Sequence, residues 1–240
     1  MRRLLKTICN CLCGLVVAPA VVLFRLQSQM GQRDAFCGWM QFLSLLPGRM
    51  GVLLRHAFLR CTSGGCGKDA HVGFGTLFSH AGVSIGARSY IGNACSIGEV
   101  TIEDDVLIAS HVSIMNGCQQ HGTERLDVPI REQAGVYLPV TIGQNSWIGE
   151  RAIVAASVGR HCIIGAGSLI LKPVPDFCVA VGVPARVVRD RRVTVHGPMA
   201  ESDDTLEEQI VSDVEITIGE MNSVGRLRNE GLPLKDCPAD

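Results

Sequence analysis

Aliphatic residues return at every sixth position through the middle of the chain. Ile85, Ile91 and Ile97 form one triplet and Ile102, Ile108 and Ile114 the next. Ile142, Ile148 and Val154, then Val158, Ile164 and Ile170, make two more, with a short slip at two of the junctions. The aliphatic is usually followed by glycine, as at Gly86, Gly92, Gly98, Gly143, Gly149, Gly159 and Gly165. Four positions on stands a small residue: Ser89, Cys95, Thr101, Val106, Val112, Ser146, Ala152, Cys162 or Ser168. An amphipathic helix would repeat at three and four. A period of six, with three repeats to a coil, predicts a triangular solenoid of short parallel strands. The aliphatic points inward, glycine makes the sharp corner, and the small residue fits the crowded interior. Cys95 and Cys162 then read as small core residues rather than redox groups.

The rhythm breaks once. Between Ile114 and Ile142 lie 27 residues, 115–141, that fit no six-residue step. A solenoid accommodates them as a loop extruded from one corner, and loops on rigid scaffolds carry function. This loop holds His121, Arg125, Asp127, Arg131 and Glu132, a polar set unlike the coils. A hydroxyl is a weak nucleophile at neutral pH, and imidazole is the side chain suited to take its proton in a transition state. The alternative is a solvated loop histidine. An orienting partner for His121 stays open among Glu124, Asp127 and a backbone carbonyl. His111 is expected on an outer face of a coil, and His80 reads either as an acceptor-site residue or as a structural one. His56, His71, His161 and His196 show no partner pattern.

The chain ends follow other rules. Residues 8–24 are an apolar run of 17 preceded by Arg2, Arg3 and Lys6, with Pro19 inside it. As a helix it would reach ~26 Å, short of a ~30 Å hydrocarbon core. Residues 42–60 continue apolar among Arg49, Arg55 and Arg60, the pattern of an interfacial stretch. Three readings compete: a signal peptide cleaved near the "APA" at 18–20, a single span, or a surface-lying or re-entrant anchor bent near Pro19. The anchor is preferred, which puts residues 1–60 on the cytoplasmic face of a membrane. The organisation is thus a helical membrane-associated segment (1–60), a repeat domain (61–190) and a polar tail (191–240), with a short helix near 206–214.

Composition narrows the partners. With 22 Lys and Arg against 23 Asp and Glu the net charge is −1, and no basic run favours nucleic acid. Aromatics are only 5%, which suits a narrow stacked core. Eleven cysteines, an odd count without a CxxC pair, read as reduced thiols of a cytosolic setting.

The motifs "VLIASHVSI" (106–114), "VTIGQNSWIGERAIV" (140–154), "IIGAGSLILKPVPD" (163–176) and "VAVGVPARVVRD" (179–190) carry a resemblance. Over 72–190 the chain resembles the hexapeptide-repeat acyltransferases, and among them the sugar and polysaccharide O-acetyltransferases such as maltose and galactoside acetyltransferase. The resemblance implies an all-β fold, a left-handed parallel β-helix with an extruded catalytic loop, and a homotrimer. It implies acetyl-CoA as acyl donor, no metal, and His121 as general base toward an acceptor hydroxyl. The pantetheine arm would run past Trp147, Gly149, Glu150, Ala166 and Gly167. Lys172, Arg186 and Arg189 would meet the adenosine phosphates, with Arg191 and Arg192 adding charge just beyond.

The function implied is transfer of an acetyl group to a sugar hydroxyl of a cell-surface glycan or its precursor. N-acylation of an amino sugar and a non-catalytic scaffold remain alternatives. A zinc carbonic anhydrase on this fold needs three close histidines. His111 and His121 are ten apart with no suitable third, so that reading is disfavoured.

Overall fold

In the computed structural model, which describes residues 2–32 and 34–193, the six-residue rhythm becomes coils of three very short strands. The first coil holds β1 (Gly65–Cys66), β2 (His71–Val72) and β3 (Leu77–Phe78); the second, β4 (Ser84–Ile85), β5 (Tyr90–Ile91) and β6 (Ser96–Ile97). The third holds β7 (Val100–Ile102), β8 (Leu107–Ile108) and β9 (Ser113–Ile114); the fourth, β10 (Val140–Ile142), β11 (Trp147–Ile148) and β12 (Ile153–Val154). β13 (Ile163–Ile164) and β14 (Leu169–Ile170) belong to the fifth, and a hairpin of β15 (Cys178–Gly182) and β16 (Ala185–Asp190) closes the end. The tail readings for 194–240, with the short helix near 206–214 and His196, lie outside the described residues.

Parallel pairing stacks equivalent strands into three faces. Face one runs β1-β4-β7-β10, face two runs from β2 through β5, β8, β11, β13 and β15 to β16, and face three runs β3-β6-β9-β12-β14. Each face sends one aliphatic column inward. On face two the column is Val72, Ile91, Ile108, Ile148, Ile164 and Ala180, none more than 1% exposed. Each buried isoleucine in such a stack contributes about 1.5–3 kcal/mol. Ser89, Ser146 and Ser168 are buried beside the columns, and the first two donate their hydroxyls to Glu103 O and Gly159 O at 2.7 and 2.8 Å. Cys95 and Cys162 are buried thiols that donate to Ala109 O and Pro175 O, and burial pushes both thiols up.

Three expectations need correction. The corners are not made by the glycines that follow the aliphatics. The left-handed positions are held by Asp69, Arg88, Asp105, Asn145, His161 and Phe177 on one edge and by Gly75, Ala94, His111, Arg151 and Gly167 on the next, with φ between 52° and 72°. Glycine follows the aliphatic because the next coil is too close for a side chain: a Cβ on Gly86 would lie 2.3 Å from Glu103 C. Thr101 is exposed, not interior, since Val100 takes the inward place at that five-residue step. Finally, Val140 and Thr141 pair with Val100 and Thr101, so the extruded loop ends at 139 rather than 141.

The N-terminal segment forms α1 (Arg2–Gln29), α2 (Ala35–Ser44) and α3 (Gly48–Thr62). At about 42 Å, α1 is longer than the apolar run alone predicts, and it continues through Pro19 without a break. Val17 and Val21 are buried in one cluster with Phe36, Met40, Phe58 and Leu59. The rings of Phe24, Phe36 and Phe58 close this cluster at centroid separations of 6.0–6.5 Å. The same cluster runs on into the first coil through Val72 and Phe78.

Candidate active site

The loop leaves face three after β9 and rejoins face one at β10, so it projects from the edge between those faces. Its root is Asn116, 6% exposed, whose Oδ1 accepts from Glu99 N at 3.0 Å and whose Nδ2 donates to Glu99 O. Above the root two legs run side by side, with Val136 N donating to Gln119 O at 2.7 Å and Leu138 N to Asn116 O at 3.2 Å. Gln133 ties the tip: Nε2 donates to Arg125 O and Val128 O, and Oε1 accepts from Arg125 N. Neither Asn116 nor Gln133 was singled out from sequence. An amide that substitutes for a coil's ladder leaves no periodic signal.

His121 is exposed on the ascending leg and lines a cavity of about 460 Å³ with Glu124, Arg125, Glu132 and Gln133. Among the described residues its ring makes no hydrogen bond. Asp127 is not its orienting group, because Arg125 Nε engages that carboxylate at 3.1 Å and holds its pKa below the usual carboxylate range. The loop carries exposed apolar side chains as well, with Leu126 99% exposed beside Ile130, Tyr137 and Leu138. A histidine so displayed can take a proton from a substrate that enters from solvent.

The residues expected around coenzyme A fall into two groups. Trp147, half exposed, stands on face two between Leu107 and Ile163. Gly149 and Glu150 follow it on the edge between faces two and three, where Glu150 O accepts from Gly167 N at 2.7 Å. A Cβ on Gly149 would lie 2.5 Å from Ala166 N, so coil packing alone demands that glycine. Ala166 and Gly167 are exposed and leave the backbone of this edge bare.

The second group lies near the hairpin. Lys172 and Arg186 line one cavity of about 260 Å³. Arg189 is exposed on β16. Among the described residues none of these three cations forms an ion pair, so their charge is available to an anion. Arg191 and Arg192 differ. Arg191 donates to His161 O, and Arg192 pairs with Asp190 at 2.6 Å and lies 5.3 Å over the Phe177 ring. The Arg192 guanidinium holds Asp190 down at about 2. Both arginines are committed to closing the solenoid end.

Most of the other described histidines have local partners. His111 is exposed at a left-handed corner. His71 stacks on Tyr90 at 4.6 Å and His161 on Phe177 at 4.8 Å. His56 Nε2 lies 3.0 Å from Gly67 O. His80, exposed and 2.8 Å from Ser79 Oγ, sits on the same edge as the loop, two coils earlier. Among the described residues no group of three His, Cys, Asp or Glu side chains gathers as metal ligands would.

The site thus combines a parallel β-helix interrupted once to display a histidine with three cations near its end that form no ion pair among the described residues. The family model for the hexapeptide repeat of succinyl-transferase matches residues 139–172. Galactoside O-acetyltransferase of Escherichia coli is 35% identical over 132 residues, covering 52% of this chain and 62% of that protein. A probable acetyltransferase of Mycobacterium tuberculosis is 30% identical over 142 residues, covering 56% and 47%. Among solved structures, a maltose O-acetyltransferase from Clostridium difficile superposes with a TM-score of 0.57 at 26% identity, over 68% of this chain and 88% of that one. A galactoside acetyltransferase in complex with coenzyme A gives 0.59 at 24%, over 72% and 87%, a likeness of fold. The chain is similar to the hexapeptide-repeat acyltransferases, and its solenoid has the fold of their left-handed parallel β-helix. It spans 47% and 62% of the length of the two curated relatives named here.

Proposed function

We propose that the protein is an acetyl-CoA-dependent O-acetyltransferase acting on a sugar hydroxyl of a cell-surface glycan or its precursor. The observation that carries this reading is the loop 115–139, which lifts one histidine out of an otherwise regular coil and into an open cavity. His121 removes the acceptor hydroxyl proton as that oxygen attacks the thioester carbonyl. The tetrahedral intermediate collapses with cleavage of the carbon–sulfur bond. The departing thiolate takes up the proton from the imidazolium, leaving the ester and coenzyme A. Lys172, Arg186 and Arg189 meet the phosphates of the donor, and the bare backbone at Ala166 and Gly167, beside Gly149, receives its extended arm.

The working form in this reading is a homotrimer with a site at each subunit interface. Two features support it. His121 and the Gly149–Gly167 edge belong to different edges of one prism, so a second chain is needed to bring them together. The loop also carries exposed apolar side chains suited to a neighbour's face, Leu126 and Ile130 among them.

The protein in this reading lies on the cytoplasmic face of a membrane through residues 1–60. The segment Leu12–Gln29 is long and apolar enough to cross a membrane. One side of it, with Leu12, Leu15, Val16, Val22, Leu23 and Leu26, is exposed, while Val17 and Val21 pack inward. Those inward contacts tie α1 lengthwise to the other helices, which favours a helix lying in the interface over a span or a cleaved signal.

The deciding experiment combines kinetics with subunit mixing. His121→Ala is expected to lower acetyl transfer to a sugar by roughly 10²–10⁴-fold without loss of folding. Mixing it with Trp147→Ala chains should restore part of the activity. Near-normal turnover of His121→Ala would remove it from the mechanism, and an active monomer would sink the shared site.

A further inference from the structure

A second cavity, of about 670 Å³, opens between the first turn of α3 and the first two coils, away from the edge that carries the loop. Arg55 forms part of its wall and is 0% exposed. Its Nε donates to Val72 O at 3.0 Å, and its Nη1 to Leu43 O and Leu46 O at 2.9 Å. These bonds clamp α3 to β2 and to the end of α2. They do not account for Nη2, which is buried with no hydrogen-bond partner among the described residues. Nor does any described carboxylate pair with this guanidinium. A buried cation with an unmet donor and no counter-ion is costly.

The rest of the wall has the same sign. α3, 15 residues long, begins after Pro47 with no side-chain cap and no acidic residue in its first turn. Its first N–H groups lack intrahelical acceptors and form the positive end of the helix. Gly48 and Arg49 bring that end to the cavity. Against two arginines and the helix terminus stands one acid, Asp69, which is exposed on the rim. His71 also lines the cavity, and its pKa is lowered first by burial and then by the Arg55 charge, so the field of Arg55 is felt at the wall.

We propose that this cavity binds a phosphoryl group, held by the uncapped N-terminus of α3 and by Arg49, with the buried Arg55 supplying its counter-charge. A tetrahedral oxyanion matches a helix N-terminus and guanidinium donors. The group can be carried by a small soluble phosphate or by a phospholipid headgroup. The proposal is independent of the acyl-transfer reading.

The test uses the full chain in mild detergent, with histidine ring signals followed by NMR. Inorganic phosphate is expected to shift His71 in a saturable manner and leave His121 unmoved, with acetate as the control anion. Arg49 is exposed, so its replacement spares the core: Arg49→Ser should weaken the response by roughly tenfold. Arg49→Glu should abolish it while acetyl transfer is kept. Phosphatidylglycerol vesicles that compete with phosphate, where phosphatidylcholine vesicles do not, would identify a lipid headgroup; phosphate without such competition would identify a soluble ligand. No saturable shift of His71 with phosphate or with phosphatidylglycerol, an equal shift with acetate, or an unchanged shift in Arg49→Glu would overturn the proposal.

Discussion

Asn116 and Glu99 form a two-point pair at the root of the loop, with the Asn116 side-chain amide bonded to both the N–H and the C=O of Glu99. Where the chain abandons the coil, this amide takes over the part that the next strand would have played. A Cβ on Gly98 would lie 2.4 Å from the Asn116 Oδ1, so the glycine before Glu99 keeps space for the same clamp.

Replacing Asn116 by Ala takes the side-chain partner from the N–H and C=O of Glu99, two part-buried hydrogen bonds each worth about 0.5–1.5 kcal/mol. The expected result is a lower melting temperature and a fall in the turnover number larger than any change in the Michaelis constant for acetyl-CoA. Asn116→Ala with wild-type kinetics and melting would show that the loop needs no clamp.

Lys172 and Arg186 share a cavity and form no ion pair among the described residues. Lys172→Ala and Arg186→Ala are each expected to raise the Michaelis constant for acetyl-CoA by roughly tenfold. The effect should be smaller with a dephospho-coenzyme A thioester, which lacks the 3′-phosphate. Equal effects on both donors would detach these cations from that phosphate.

The corner chemistry separates two kinds of position. At Gly86 even alanine collides with the next coil, so Gly86→Ala should destabilise by about 1–3 kcal/mol, the usual cost of overpacking. Ala94, with φ of 52°, is a strained left-handed residue, so Ala94→Gly should be close to neutral or slightly stabilising. Thermal melts of the two variants test this directly, and the reverse order would restore the glycines as corner-makers.

On α1 the exposed and buried sides can be varied apart. If α1 anchors the protein as proposed, Leu15→Gln, Val22→Gln and Leu26→Gln together should move it from the membrane fraction to the soluble one with no change in melting temperature. Val17→Ala should instead lower stability by about 0.5–3 kcal/mol, the common range for a single substitution. If the triple variant sediments with membranes as before, the exposed side of α1 is not the anchor.

The solenoid was legible in the sequence because every coil must bury the same three positions. Ile91 and Ile108, and again Ile148 and Ile164, stand one coil apart in the chain and are stacked neighbours in space; only the loop lengthens the step from Ile108 to Ile148. The loop was legible for the converse reason: 115–139 cannot satisfy the period, and His121 is its one imidazole. Corner geometry was not legible, since a left-handed φ at Arg88 or His161 comes from a stacked ladder of turns that composition does not reveal.

Tertiary structure alone decided which charges are spent. Arg191 and Arg192 read from sequence as companions of Lys172 and Arg186, yet they serve His161, Asp190 and Phe177 at the solenoid end. It decided as well that Arg55, one of several arginines in an apolar stretch, is fully buried and holds three carbonyls of α2, β2 and the turn between helices. The physical reason is the same in each case. Hydrophobic periodicity repeats locally and can be counted along the chain, whereas a hydrogen bond or a counter-charge depends on which distant backbone atoms arrive within about 3 Å.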